Sequence, residues 1–259
     1  MLTGPALPAR VSRASFSARI GSGIGAFLRQ CLARGYGAKA GVRNGFWAAV
    51  TASFAFAGAL AAETVTIVAL GDSLTAGYGL DNPADGLVPQ MEAWLKAQGA
   101  DVVVQNAGVS GDTTAGGLAR VGWSLGPDAD ALMVTLGGND MMRGLDPAGT
   151  RANLEGILKE AKARDLPVLL VAMQAPPNFG PDFKSSFDAI YPELAEGYGT
   201  LLADSFFAGF VAAGADPGDP ASFAPYMQAD GIHPNPTGVK LIVEALGPKV
   251  MELLARVQG

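Results

Sequence analysis

VTIVALGDSLTAGYG, residues 65–79, runs without a break from six β-branched and apolar residues (Val65 to Leu70) into Gly71-Asp72-Ser73. A short run this apolar, with no polar alternation, predicts a strand covered on both faces, as in a parallel sheet. The serine directly behind it is placed as a nucleophile would be. The usual hydrolase elbow, G-x-S-x-G, is absent, because Leu74-Thr75 follows the serine. Whatever activates Ser73 must come from elsewhere in the chain.

Four more apolar runs follow: Val102–Gln105, Ala131–Leu136, Val168–Ala172 and Thr200–Asp204. Helical spacing fills most of the gaps. Leu87, Met91, Trp94 and Leu95 recur at i, i+4, i+7 and i+8, and Gly99 ends that segment. Leu154, Ile157, Leu158 and Ala161 mark a second helix, with Asp146 as N-cap and Pro147 in the first turn. Asn235-Pro236 opens a last helix carrying Val239, Ile242, Val243, Leu246, Val250 and Leu253. Gly247-Pro248 is expected to kink it. Strands alternating with helices, each strand apolar on both faces, predict an α/β fold with a five-stranded parallel sheet between helical layers. Trp94 and Trp123 are assigned to the core, and Asp216–Pro220 to a turn-rich surface loop.

Charge divides the chain. Residues 1–61 hold seven Lys and Arg and no acidic residue, whereas 62–259 hold eleven basic residues against all 24 Asp and Glu. The second part is therefore near −13, although the whole chain is −6. Arg43, the apolar stretch Phe46 to Leu60, and Ala59-Leu60-Ala61 read in order as the basic, apolar and small-residue parts of an export signal. The apolar stretch is shorter than the roughly 20 residues of a spanning helix, which weighs against an uncleaved anchor. Residues 1–61 are thus expected to be a leader and 62–259 one domain, periplasmic or secreted and without a membrane span once the leader is cut. Residues 1–41 exceed an ordinary leader, and translation is expected to start near Val42. Cys31, the only cysteine, lies in the leader, so the domain has neither thiol nor disulfide. Its acidity excludes a nucleic-acid partner. One histidine and no cysteine leave no familiar metal-ligand pattern, and no metal or other cofactor is expected.

In an open parallel sheet, ligands bind beyond the carboxyl ends of the strands. Polar, glycine-rich segments follow the first, second, third and fifth runs: Gly71-Asp72-Ser73, Asn106 to Asp112, Gly137-Gly138-Asn139-Asp140, and Asp230-Gly231-Ile232-His233. His233 is the only histidine in the chain, so any imidazole base for Ser73 must be His233. Asp230, three residues earlier, can accept from one ring nitrogen and leave the other free to take the serine proton. The Ser73 N–H, the Gly111 N–H and the Asn139 amide are candidate donors to an oxyanion. Gly111 and Asn139, each taken alone, suit plain turns equally well. Asp72, Asp112 and Asp140 are given loop-ordering roles.

These blocks resemble the SGNH, or GDSL, hydrolases, named for Ser, Gly, Asn and His. Ser73, Gly111, Asn139 and His233 match the four blocks in order, with Asp230 as third triad member. The resemblance runs from about Val65 to the C-terminus. GDSLTAGYG, VSGDTTAGGLARV, LGGNDMMRG and DGIHPNPTG are most similar to the bacterial branch of acyl-CoA thioesterases, lysophospholipases and arylesterases. It implies a flavodoxin-like three-layer fold with strand order 2-1-3-4-5. It also implies an acyl groove bordered by Asp140–Leu145 and Ala175–Gly180, with Asp140, Met141, Ala175, Pro177 and Phe179 as substrate-binding candidates. Ala175 departs from the larger aliphatic residue common there. The expected protein is a monomeric serine esterase acting on a small acyl ester or lipid. A carbohydrate O-acetyl esterase and a non-catalytic binding protein are the alternatives.

Overall fold

The computed structural model describes residues 63–258. The expected leader, its cleavage site and the start near Val42 lie outside them. Strands β1 (Val65–Gly71), β2 (Val102–Gly108), β3 (Ala131–Thr135), β4 (Val168–Val171) and β5 (Leu201–Ala203) form one parallel sheet in the order β2-β1-β3-β4-β5. All five sequence runs are strands. β2 extends three residues further than its apolar core, and β5 is only three residues long.

Among the described residues the α-helices are α1 (Ser73–Ala76), α2 (Leu87–Ala97), α3 (Thr114–Ser124), α4 (Gly138–Met142), α5 (Pro147–Lys162), α6 (Pro181–Asp188), α7 (Ile190–Tyr198), α8 (Ala208–Ala212) and α9 (Pro236–Gln258). α2, α8 and α9 pack together, and so do α3, α5 and α7, in an α/β/α arrangement. The Asp146 side chain caps α5 by accepting from the Ala148 N–H at 2.9 Å. Asn235 accepts from the Gly238 N–H at the start of α9.

β3 and β4 are buried along their whole length, and β1 at every position but the half-buried Thr66. The expectation that every strand is apolar and covered on both faces fails at β2. It is an edge strand, and Val103 and Gln105 face outward. α9 runs through Pro248 as one helix, without a break at the expected kink. Trp123 is not in the core: it is 87% exposed. α3 buries Thr114, Gly117, Val121 and Ser124, the i, i+3, i+7, i+10 stripe. Trp123 is two residues from Val121, about 200° around the helix, and so points away. Trp94 does pack against the core.

The register levels the strand ends that matter. Gly71 pairs with Gly108 on one side and Thr135 on the other. The chain turns one way from β1 to β2 and then crosses to β3 on the other side of β1. That reversal leaves a crevice between the segments after β1 and β3.

Candidate active site

Ser73 is the first residue of α1, immediately past β1, and is 9% exposed. Asp72 caps this short helix, its Oδ1 accepting from the Leu74 N–H at 3.0 Å. His233 Nε2 lies 2.8 Å from Ser73 Oγ, and His233 Nδ1 lies 2.7 Å from Asp230 Oδ2. With the proton on Nδ1, the Nε2 lone pair faces the serine hydroxyl. Asp230 Oδ1 also accepts from the backbone N–H groups of His233 (3.0 Å) and Ile232 (2.9 Å). The His233 backbone and ring bonds, with the Ile232 N–H, hold the Asp230 carboxyl down to about 2. It is therefore ionised wherever the imidazole can act as a base. The Tyr78 ring packs against the His233 ring, centroids 4.6 Å apart.

Asn139 lies in the first turn of α4, past β3, and is 8% exposed. One of its amide hydrogens goes to Asp72 Oδ2 at 3.2 Å, which leaves the other for a ligand. Asp72 is 1% exposed, and burial pushes its carboxyl up to about 6 against the opposing bonds from Leu74 and Asn139. Its role is wider than loop ordering, because it ties the segment after β1 to the amide after β3. Gly111 has φ +79°, a left-handed conformation that favours glycine. Its carbonyl accepts from Arg143 Nη2 at 2.7 Å, which links its loop to the end of α4. Among the described residues, the N–H groups of Ser73 and Gly111 have no acceptor.

A cavity of about 180 Å³ opens beside Ser73, lined chiefly by Met141, Met142, Met173, Phe207, Met227 and Ile232. A larger one, about 490 Å³, includes Ala175, Pro177, Lys184, Pro217 and Phe223 in its wall. Met141, Gln174 and Phe207 line both. Three of the groove candidates, Met141, Ala175 and Pro177, are therefore in the cavity walls. The other two are not.

Asp140 is 1% exposed and accepts from the Thr114 N–H (2.8 Å), the Thr114 hydroxyl and the Thr150 hydroxyl (3.3 Å). A buried carboxylate needs donors, and α3 and α5 supply them, so Asp140 ties α4 to both helices and lines neither cavity. Phe179 stacks on Phe183 (5.2 Å), which continues to Phe187 and Tyr191. The spacing of four in Phe179, Phe183, Phe187 and Tyr191 was a legible sign of one aromatic face. The aromatics at the cavities are instead Phe207, which lines both, and Phe223, which lines the larger.

The sequence reading also passed over Arg120. Its Nη1 and Nη2 donate to the Ala107 and Gly71 carbonyls (2.7 and 2.8 Å) and its Nε to Asp112 (2.7 Å), which clamps the ends of β1 and β2 together. Among the described residues no three His, Cys, Asp or Glu side chains are grouped to hold a metal ion. No helix there is long and apolar enough to cross a membrane.

Residues 69–241 match the sequence model of the GDSL-like Lipase/Acylhydrolase family. The chain is 38% identical over 194 residues to Esterase TesA of Pseudomonas aeruginosa, covering 74% of this chain and 91% of that protein. It is 34% identical to Thioesterase 1/protease 1/lysophospholipase L1 of Escherichia coli, over 75% of this chain and 87% of that one. The crystal structure of AlinE4, a SGNH-hydrolase family esterase, superposes with a TM-score of 0.58 at 42% identity, over 74% of this chain and 97% of that one.

Proposed function

The chain belongs to the GDSL-like lipase/acylhydrolase family and is a serine ester hydrolase, and we propose that Ser73, His233 and Asp230 are its catalytic triad. The observation that carries this reading is the unbroken hydrogen-bond chain Ser73 Oγ–His233–Asp230. His233 Nε2 takes the hydroxyl proton as Ser73 Oγ attacks the acyl carbonyl. Asp230 holds the ring in the tautomer this needs and stabilises the imidazolium that forms. The tetrahedral oxyanion is held by the N–H groups of Ser73 and Gly111 and by the free hydrogen of the Asn139 amide. The imidazolium then protonates the leaving alcohol, phenol or thiol. Water attacks the acyl-enzyme by the same route, with His233 again as base.

The cavity beside Ser73 is walled by methionines and Phe207, which suits an aliphatic acyl group better than an acetylated sugar. Met141, Ala175 and Pro177 are read as acyl-contact residues. Acyl thioesters and lysophospholipids fall within the proposed substrate class, because a relative is named for acting on them. The charge split and the sequence Ala59-Leu60-Ala61 support an exported enzyme, its leader ending near residue 61. N-terminal sequencing of the mature protein tests that point, and a mature start before residue 42 refutes it.

The catalytic reading is tested with p-nitrophenyl butyrate and a fluorophosphonate. Ser73→Ala and His233→Ala should each abolish turnover, and the label should sit on Ser73. Wild-type rates from Ser73→Ala would refute the assignment.

A further inference from the structure

The base reaches the nucleophile from a loop outside the sheet. Asp230, Gly231 and Ile232 are exposed, and the loop closes on itself through a single antiparallel bridge between Met227 and Pro234. Among the described residues, only two hydrogen bonds join residues 227–235 to residues 72–80. One is the reacting contact, His233 Nε2 to Ser73 Oγ. The other is made by Gln228, whose Nε2 donates to the Tyr78 carbonyl at 2.9 Å across 150 residues of chain.

Gln228 grips its own loop at the same time. Its Nε2 donates to the Pro234 carbonyl at 2.9 Å, and its backbone N–H donates to the His233 carbonyl at 2.7 Å. Both hydrogens of one planar amide are thus spent, one on each side of the crevice. The Tyr78 residue that receives the bond also lays its ring on the His233 imidazole. The turn after α1 leaves room for this arrangement. At Gly79, φ +75°, a Cβ would come within 2.3 Å of Gln228 Oε1.

We propose that Gln228 is a positioning residue for the reaction: it sets the distance between the His233 loop and the Ser73 segment without touching substrate. The inference rests on His233 being the base. Proton transfer needs a heavy-atom separation near 2.6–3.2 Å, and misplacement by about 1 Å costs roughly 10²-fold in rate. Asparagine is too short to reach both carbonyls. Methionine matches the length and donates nothing.

The test is Gln228→Met, assayed with p-nitrophenyl butyrate and with a fluorophosphonate. The expected result is a kcat lower by about 10²-fold, KM within about twofold, and a melting temperature lowered by no more than about 5 °C. Fluorophosphonate labelling of Ser73 should slow in proportion to kcat. Gly79→Ala, which displaces the Gln228 side chain from the other side, should show the same split and carries the test if Gln228→Met does not fold. Wild-type kcat per labelled serine in the folded variant overturns the proposal. So does a loss that appears in KM, or one that only follows a lower melting temperature. The parent reading fails separately, if His233→Ala keeps its activity. Inactive His233→Ala together with fully active Gln228→Met would sink this inference alone.

Discussion

Asp72 is a buried carboxyl whose ionisation is linked to folding, and Asp72→Asn isolates that link. Burial raises it from the ordinary 3.8 to about 6. A carboxyl with the higher value in the folded state favours folding when protonated. Its contribution is complete below pH 3.8 and is lost as the pH rises through about 6. A shift of roughly two units corresponds to about 3 kcal/mol. Between pH 4 and pH 7.5 the linkage relation places roughly 2 kcal/mol of that change.

Asparagine has nearly the same shape and cannot ionise. It keeps an acceptor for the Leu74 N–H but turns a donor toward Asn139, so both the fixed bond and the titration change. Urea unfolding of both proteins at pH 4 and pH 7.5, with equal m-values, isolates the titration. Wild-type stability minus variant stability should fall by roughly 2 kcal/mol from the lower to the higher pH, because the other titrating groups cancel. A difference that is the same at both pH values, to about 0.5 kcal/mol, would refute the reasoning. It would mean that Asp72 ionises in the folded protein as it does in the unfolded chain.

Asn139→Ala should lower kcat for p-nitrophenyl butyrate by ~10²–10³ while Ser73 is still labelled by a fluorophosphonate, as loss of an oxyanion donor does; a kcat within threefold of wild type would remove Asn139 from that role. Phe207→Ala joins the two cavities and should move the kcat/KM optimum to longer acyl chains, by roughly fourfold per additional methylene that becomes buried. An unchanged profile across p-nitrophenyl butyrate, octanoate and decanoate would show that the acyl group does not pass that ring. Tyr191→Phe deletes the hydroxyl that donates to the Leu136 carbonyl in the core at 2.9 Å, and should cost roughly 1–2 kcal/mol in urea unfolding. A neutral result would mean that the carbonyl finds another donor.

The limits of legibility follow from periodicity. The five strands were readable because each is short and apolar, and the first three lead straight into glycine-rich polar segments. β2 was read as covered on both faces because its valines do not reveal that it ends the sheet. α3 left little signal, since TAGGLARVGWS packs through glycine and threonine. Asn139 and Asp140 differ by one residue, about 100° of helix. One turns its amide toward Asp72 and the other turns its carboxylate into a bed of threonines. Arg120 and Gln228 act on backbone carbonyls, which carry no residue identity, so no motif points to them.

The order of the strands' following segments, the single histidine and the aspartate three residues before it were enough to pick out Ser73, His233 and Asp230 as the candidate nucleophile, base and partner. They are local or unique features, and neither needs a neighbour to be recognised. Which residues face the cleft was decided only by packing: Phe207 and not Phe179, Asn139 and not Asp140. So was the approach of His233 to Ser73, beside which one amide joins residues 78 and 228. Those facts belong to contacts between distant segments, and a contact exists only once the sheet has brought Gly71, Gly108 and Thr135 level.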